Sequence, residues 1–561
     1  MATQLPIRVE EKGRKSEGFC TPKEDKSPQQ MKVLSNKVIP IVFLPGIMGS
    51  NLRLSQPRQW RLKKANNIAW RPDRHGEALD LLSVTPAYRQ LALDPDATEV
   101  DTYDDGAGTT GTFAETSAVR HKVSSVNVTL PFDSQSPLLT DDPATSNPRK
   151  TKKDKARERG WQEVLLSSYQ VLLEKCEYML NASNIDSDWS QIADRAPAEW
   201  QSATSPELRA LSTDEIRVAL SSAWFPVHAM GYNWLKSNAK SAKGIALRIG
   251  QLIEQYQSRG YQCEKVVVIT HSMGGLVARA LVHPEIGDAM NKVLGIVHGV
   301  MPSQGAPAAY RRMRCGFEEG LLGWAPAPKV LGNFGPEVTA VLGNSEGGLQ
   351  LLPSKAYGNH WLEVRQDRNV LLRLPTSGDP YEEIYKLKTE WYRLIREDWL
   401  NPAKLRDCTV ERTFLYLDNA RRFHELIANE FHPVTYAHYG AGTDRSSWAV
   451  ITWNVSAGQL IRGWERSRVV EDNRQGRLSI VPPGTNTAIN VTLGPSVGAG
   501  DQTVPLRSAD HQRQSGKLCG VFMQSGYEHQ ESYQKEVALR STLYSLVRII
   551  QTMKWSRDGK A

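Results

Sequence analysis

The sequence predicts an α/β fold in which a mostly parallel sheet is covered by helices. Two apolar runs, 38–44 and 265–269, are continuous, as in strands that are buried on both faces of a sheet. Between them, residues 242–259 place apolar side chains three and four positions apart and stop at Gly260, which is typical of an amphipathic helix. A second helix is expected over 274–282. Strands that alternate with helices in this order favour a parallel sheet.

The chain of 561 residues divides into four stretches of different composition. Residues 1–36 are polar and charged and predict a tail. Residues 37–309 carry the first part of the core, which a mobile insertion at about 101–158, rich in Asp, Gly, Thr, Ser and Pro, is expected to interrupt. Residues 310–430 are helical and aromatic in pattern, and residues 431–561 carry the second part of the core.

In that second part, apolar runs predict that the core resumes. Strands are expected at 434–440, 447–455 and 520–524, followed by an amphipathic helix over 533–553. The simplest account is that residues 310–430 form a large helical lid or cap inserted between two sheet-forming halves.

Composition argues against several classes of protein. Six cysteines without a CxxC pair predict neither a disulfide framework nor a zinc site, and they fit a reducing compartment. No apolar segment reaches the roughly 18 residues that span a bilayer, and the N-terminus lacks the apolar core of a signal peptide.

The net charge of +8 fits either an anionic lipid surface or an ordinary solvated one, whereas nothing indicates nucleic acid. We expect synthesis in the cytoplasm, and no cofactor or metal.

The stretch ITHSMGG, residues 269–275, indicates where chemistry takes place. A serine between a strand and a helix matches the nucleophile elbow G-x-S-x-G, with Thr270 in place of the first glycine and Ser272 as the candidate nucleophile. Small neighbours are needed because the serine has a strained backbone conformation. The alternative is an ordinary turn between a strand and a helix.

A serine nucleophile needs a base and an acid that orients the base. His529 is the expected base, because it follows the strand at 520–524 and precedes the last helix, while His511 is its competitor. Asp501 in the stretch GAGDQTVP is the expected acid, with Asp444 and Asp418 as rivals. His271 adjoins the serine, and neighbouring residues in an elbow point apart, so we interpret it as structural.

The reaction also needs two N–H donors for the oxyanion. One is expected from Met273, directly after the serine. The other is expected from Ile47, in the loop LPGIMGS that ends the first apolar run. A tight turn without this role is the alternative for that loop.

Several motifs taken together resemble a known group of enzymes. PGIMGSNL, THSMGGLVAR, GLQLLP, YGAGT and GDQTVP, with a late histidine, resemble the α/β-hydrolase lipases of the lecithin–cholesterol acyltransferase type and the GPI inositol-deacylase-like lipases. These motifs cover roughly residues 38–305 and 430–535. The resemblance implies an α/β-hydrolase fold and gives the triad and one oxyanion donor to the residues already chosen: Ser272, Asp501, His529 and Ile47.

A narrower resemblance concerns HAMGYNWLKSN and YEHQESYQ, which are similar to segments of lipase effectors of bacterial type VI secretion systems. It implies a serine lipase or phospholipase that hydrolyses carboxylic esters of membrane lipids and is secreted into a target cell. Its partners would be a lipid substrate at a membrane surface, an immunity protein and a secretion-system component. An acyltransferase, a small-ester esterase and a non-catalytic binding module remain alternatives.

The tryptophans of the expected cap allow two interpretations. Trp324, Trp361, Trp391 and Trp399 suit an aromatic belt at a lipid interface. They suit equally a helical domain that packs its aromatic side chains inside.

Overall fold

The computed structural model describes residues 35–72, 84–102, 152–182, 184–317, 331–456 and 463–556. Within the tail it describes only the short strands Ala2–Thr3, Ile7–Glu10, Gly13–Ser16 and Gln30–Met31. Most of the predicted insertion at 101–158 therefore lies outside the described residues, and so does Trp324.

A six-stranded sheet forms the centre of the molecule, and every neighbouring pair of its strands is parallel. The strands are β1 (Ile41–Leu44), β2 (Val227–Ala229), β3 (Val266–His271), β4 (Val293–Gly299), β5 (Thr435–Gly440) and β6 (Gly520–Gln524). Their spatial order is β6-β5-β4-β3-β1-β2. All residues of β1 and β3 are buried, as continuous apolar runs predict for strands covered on both faces. The predicted α/β-hydrolase fold is confirmed.

Helices cover this sheet and build part of the cap. They include α1 (Leu166–Leu180), α2 (Asn238–Ser258), α3 (Gly274–Val282), α4 (Pro307–Cys315), α5 (Gly335–Leu342), α6 (Val410–Ile427) and α7 (Glu536–Ile550). The predicted helix 274–282 is confirmed, and the one predicted over 242–259 begins four residues earlier, at Asn238. Helix α2 packs on α3, and α7 packs on α1 and β4.

Further helices connect these elements. They are Gln56–Arg61, Pro86–Ala92, Lys152–Glu158, Ile185–Asp188, Thr213–Ser221, Glu346–Leu349, Glu397–Leu400, Leu506–Ala509 and His511–Gln514. None of the described helices is long and apolar enough to cross a membrane.

The described residues of 310–430, which were expected to be helical, also supply two strands of a second sheet, and below we call these residues and this sheet together the cap. The six strands of this sheet are, in spatial order, Asn369–Leu374, Leu362–Gln366, Ile451–Val455, Ile489–Leu493, Arg477–Val481 and Arg468–Asp472. The strand predicted at 447–455 was expected to resume the core, and this expectation is wrong, because Ile451–Val455 belongs to the second sheet. Its residues alternate between buried and half-buried, as in a sheet covered on one face only.

The cap tryptophans form its interior. Trp361 and Trp391 are completely buried and Trp399 nearly so, which makes the aromatic-belt interpretation of these three wrong and confirms the alternative. The ring of Trp391 lies 5.8 Å from that of Trp453 in the second sheet, edge to face. Such large rings hold the cap's helices and its sheet together by burying apolar area.

Two smaller sheets flank the edge of the central sheet where β1 and β5 end. The strands Leu52–Leu54, Ile68–Trp70 and Thr98–Val100 form an antiparallel sheet after the loop that follows β1. The strands Gly442–Ser447 and Gly498–Gly500 pair antiparallel and lead directly into residue 501.

The buried side chain of Arg279 ties the cap to helix α3. Its guanidinium donates to the backbone oxygens of Ile427, Ala428 (3.0 Å) and Glu430 (2.9 Å), at and just beyond the C-terminal end of α6. It also donates to Ser303. Burial lowers the pKa of Arg279 to about 9. The carbonyls at a helix C-terminus carry partial negative charge, so the cation compensates for them in place of a carboxylate.

Candidate active site

The turn between β3 and α3 holds Ser272 in a strained conformation. Its φ is +52°, in the left-handed region that residues other than glycine rarely adopt. A Cβ on Gly274 would lie 2.6 Å from the backbone oxygens of both Leu44 and Pro45, so only glycine allows the turn to pass this close to the end of β1. This is the geometry that the elbow pattern predicts.

Threonine takes the place of the first glycine of the elbow without disturbing it. Thr270 is completely buried, and its hydroxyl lies 3.0 Å from Nδ1 of His298 on the neighbouring strand β4. Its carbonyl accepts a hydrogen bond of 2.9 Å from the hydroxyl of Tyr533. Both polar groups of the threonine therefore have partners, which explains why a larger residue is tolerated here.

The structure brings three of the predicted side chains into one row. Nε2 of His529 lies 2.8 Å from Oγ of Ser272, and Nδ1 of His529 lies 2.8 Å from Oδ2 of Asp501. The other carboxylate oxygen, Oδ1 of Asp501, accepts the backbone N–H groups of Thr503 (3.1 Å) and Val504 (2.7 Å). All three residues of the row are buried, so these contacts are shielded from water.

The rival residues lie elsewhere. Asp444 is on an exposed strand, with 61% of its side chain accessible, and its nearest cation is Arg445 at 3.8 Å. Asp418 lies on helix α6 and binds Lys386 at 2.5 Å. His511 places Nδ1 3.0 Å from Oγ of Ser303. The structure therefore pairs His529 with Asp501.

His271 contacts the backbone of His529 and so helps to hold the row of Ser272, His529 and Asp501 in place. Its Nε2 lies 2.9 Å from the backbone oxygen of His529, which can only accept, so Nε2 carries the proton and Nδ1 accepts. The donor to Nδ1 is the hydroxyl of Tyr169 at 3.1 Å, and this hydroxyl accepts the N–H of Gly46 at 3.3 Å. Burial, followed by the nearby His529, lowers the pKa of His271 well below its usual value, so the ring stays neutral.

Sequence reasoning missed Tyr169 in this network. It lies on helix α1, 102 residues before His271, and nothing in its local sequence distinguishes it from other core aromatics. Only the packing of α1 against the central sheet brings its hydroxyl between Gly46 and His271.

The loop after β1 approaches the serine closely. A Cβ on Gly46 would lie 2.9 Å from both Nδ1 of His271 and Cβ of Ser272. Within the described ranges, neither the N–H of Ile47 nor that of Met273 donates a hydrogen bond to the protein. Both groups are thus available to an oxygen that enters the site.

A cavity of about 890 Å³, including its solvent-open mouth, opens onto Ser272 and His529. Its lining is mainly apolar and includes Ile47, Pro302, Ala306, Phe317, Leu342 and Leu351. Polar residues line it as well: Arg312, Thr503, Glu528 and Gln530. A mainly apolar cavity with a few polar groups fits a ligand that has an acyl chain and a polar end.

In the part of the chain that the structure describes, no group of three or more His, Cys, Asp or Glu side chains could hold a metal ion.

Comparisons with known proteins agree with this fold. Residues 239–320, which include the elbow, match the family model of a PGAP1-like alpha/beta domain. The chain also matches a solved structure described as the crystal structure of the Tle4-Tli4 complex, with a TM-score of 0.72 and 28% identity. That match covers 92% of this chain and 99% of the other. No curated protein matches the sequence.

The two matches confirm the resemblance to the GPI inositol-deacylase-like lipases and to the type VI lipase effectors. At the coarser level, they support a lipid ester hydrolase with an α/β-hydrolase fold.

Proposed function

We propose that the protein is a serine lipase or phospholipase that hydrolyses carboxylic ester bonds of membrane lipids through Ser272, His529 and Asp501. The observation that carries this proposal is the row in which the His529 ring lies 2.8 Å from both the Ser272 hydroxyl and the Asp501 carboxylate. A strained serine at the end of a central strand, next to a buried imidazole and a buried acid, is the arrangement that acyl transfer requires.

In the proposed reaction, His529 takes the proton of Ser272 as the hydroxyl oxygen attacks the ester carbonyl. Asp501 holds the imidazole in the tautomer whose Nε2 can accept and stabilises the imidazolium that forms. The imidazolium then protonates the leaving alcohol, and an acyl-enzyme remains. Water, deprotonated by His529, releases the fatty acid. Acid–base assistance of this kind contributes about 100- to 10,000-fold.

We assign the oxyanion hole to the N–H groups of Ile47 and Met273. Support comes from the close approach of the Gly46 loop to Ser272, and from the lack of a protein acceptor for either N–H in the described ranges. Losing one such donor typically costs about 3 to 4 kcal/mol of transition-state stabilisation.

The decisive experiment compares the wild type with Ser272→Ala on a panel of phospholipid classes. We expect wild type to release fatty acid and Ser272→Ala to release none above background. Ser525→Ala is the matched control, because Ser525 is exposed on the same loop as His529. Equal fatty acid release by wild type and Ser272→Ala would refute the proposal.

Two further measurements separate the alternatives. A fluorophosphonate probe should label wild type at Ser272, and failure to label would favour a non-catalytic binding module. Adding an alcohol to phospholipid vesicles should leave free fatty acid as the main product, and a dominant new ester would favour an acyltransferase.

We also propose that the protein is an effector delivered by a type VI secretion system and neutralised by an immunity protein. Support comes from the similar chain solved as part of the Tle4-Tli4 complex. The test is to co-express the chain with the product of the adjacent gene in bacteria that are killed by the active enzyme. We expect growth to be rescued. Killing that is unchanged by this product, and equal for Ser272→Ala, would refute the proposal.

A further inference from the structure

A buried serine outside the proposed triad contacts the loop that carries its acid. Ser447 ends the strand Gly442–Ser447 and is completely buried. Its Oγ accepts the backbone N–H of Asp501 at 3.0 Å and donates to the backbone oxygen of Val504 at 3.3 Å. A hydroxyl can do both, because it has one proton and two lone pairs. Ser447 therefore holds the first and the last residue of the turn 501–504.

All four backbone N–H groups of this turn have acceptors. The N–H of Gln502 donates to the backbone oxygen of Arg445 at 3.1 Å, on the same strand as Ser447. The N–H groups of the next two residues donate to Oδ1 of Asp501. Gln502 has a φ of +70°, in the left-handed region, and such a conformation persists only where surrounding contacts enforce it. The hydrogen bonds to the strand are part of that constraint.

Two glycines allow the protein to pack closely around the acid. A Cβ on Gly500 would lie 2.3 Å from Oγ of Ser447 and 2.4 Å from the backbone oxygen of Val504. A Cβ on Gly440, at the end of β5, would lie 2.6 Å from Cβ of Asp501. These distances are shorter than ordinary contacts between non-bonded atoms, so only glycine fits at both positions. The backbone of β5 and the side chain of Ser447 are therefore both in close contact with the acid loop.

Asp501 contacts the proposed base through its backbone as well as its carboxylate. The backbone N–H of His529 donates to the backbone oxygen of Asp501 at 2.9 Å, and Nδ1 of His529 lies 2.8 Å from Oδ2. A shift of the turn 501–504 would therefore displace the base together with the acid. Because proton transfer depends steeply on geometry, a displacement of about 1 Å can lower the rate about 100-fold.

We propose that Ser447 is a positioning residue of the active site, whose hydroxyl fixes the turn 501–504 so that the carboxylate of Asp501 faces the His529 ring. The inference rests on the proposed function, because Ser447 has this task only if Asp501 orients the base. Ser447 does not line the cavity of Ser272, so it lies outside the space available to a substrate. Loss of its hydroxyl should therefore slow the chemical step and leave lipid binding unchanged.

The first test replaces Ser447 by alanine. We expect kcat for fatty acid release from phospholipid micelles to fall about tenfold and KM to stay within about twofold, because the acid shifts while the cavity is intact. Ser446→Ala is the matched control, since Ser446 is the neighbouring half-buried serine and its Oγ lies 2.9 Å from Oγ of Ser496. This control should keep wild-type kcat. An unchanged kcat in Ser447→Ala, a loss that arises mainly from KM, or an equal loss in both variants would overturn the assignment.

The second test measures whether Ser447 acts through Asp501. The rate constant of fluorophosphonate labelling at Ser272 is measured for wild type, Ser447→Ala, Asp501→Asn and the double variant. Ser447→Ala should slow labelling about tenfold relative to wild type. In the Asp501→Asn background the same change should alter the rate constant by less than about twofold, because residues that act as one unit are not additive. A loss as large as that in the wild-type background would overturn the assignment, because Ser447 would then act by another route.

Labelling also separates this inference from the proposed function. The rate constant describes folded molecules alone, whereas the final extent of labelling counts them, so partial unfolding does not imitate the expected result. If wild type is labelled at Ser272 but releases no fatty acid from any phospholipid, the proposed substrate falls, and the labelling rates still decide the role of Ser447. If wild type is not labelled, the proposed triad and this inference fall together.

Discussion

Replacing Asp501 by asparagine should reverse the direction of one hydrogen bond in the active site. Oδ1 of Asp501 accepts two backbone N–H groups, from Thr503 and Val504. An asparagine must keep its oxygen at that position, because an NH2 group there would face two other donors. Its NH2 group is therefore directed at Nδ1 of His529, where Asp501 now accepts.

The reversed bond removes the base. With an NH2 donor in front of it, Nδ1 of His529 must accept, so the ring carries its proton on Nε2, which faces Ser272. An Nε2 that already carries a proton cannot take the serine proton. Turning the amide over to restore the tautomer would leave two backbone donors unpaired, at a cost of about 1 to 3 kcal/mol each. The variant also lacks the negative charge that stabilises the imidazolium.

We therefore expect Asp501→Asn to lower kcat about 10,000-fold, which corresponds to about 5 kcal/mol. The assay is fatty acid release from phospholipid micelles, together with the rate of fluorophosphonate labelling and the melting temperature. Asp444→Asn, at the exposed rival position, should retain wild-type kcat. If Asp501→Asn keeps the wild-type melting temperature and more than about a tenth of kcat, Asp501 does not set the tautomer of His529.

Three other predictions follow from buried contacts. Gly46→Ala should lower kcat about 100-fold, because the new Cβ displaces the loop that carries the Ile47 N–H. Gly244→Ala is the control and should keep wild-type kcat, because a Cβ there meets nothing within 4 Å. Equal kcat values in the two variants would contradict this prediction. Burial lowers the pKa of both His298 and His438 to about 3, so the unfolded chain binds more protons below about pH 6.5. The contribution of these two histidines to the free energy of unfolding should therefore be complete above pH 6.5 and decrease toward pH 3, by at most about 1.4 kcal/mol per pH unit for each histidine. A melting temperature that is the same at pH 7.5 and pH 5 would contradict this prediction. Arg279→Met should lower the free energy of unfolding by about 1 to 3 kcal/mol for each buried carbonyl that loses its donor. An unchanged denaturant midpoint would count against that role.

Local patterns in the sequence were enough to predict the core fold. Strand β3 is a continuous apolar run, and the helix after it begins at Gly274, so strand, turn and helix are all encoded within 17 residues, 266–282. Asp501 could be selected because it lies in a glycine-rich loop before Val504 and Pro505, and His529 because it follows the strand at 520–524 and precedes the last helix. The structure places the His529 ring between Ser272 and Asp501.

The rest depends on contacts between distant parts of the chain. The second sheet pairs Leu362–Gln366 with Ile451–Val455, and no local pattern states which sheet a strand joins. In the structure, the alternating burial of residues 451–455 distinguishes this strand from a core strand. In the sequence, a single apolar run of this length does not show which kind of strand it forms. The sequence pattern of the cap tryptophans is the same whether these side chains face lipid or pack against another element of the protein. Tyr169 supports the site only because the packing of helix α1 places its hydroxyl beside Gly46 and His271.

The hydrogen bonds between Arg279 and the end of α6 limit how the protein can admit a bulky lipid. If the cap swung outward as one rigid body, the guanidinium would lose its acceptors while still surrounded by the core, which is costly for a buried cation. The end of α6 near residue 427 should therefore act as a fixed pivot during substrate entry. Room for a long chain would have to come from elements of the cap other than this end of α6.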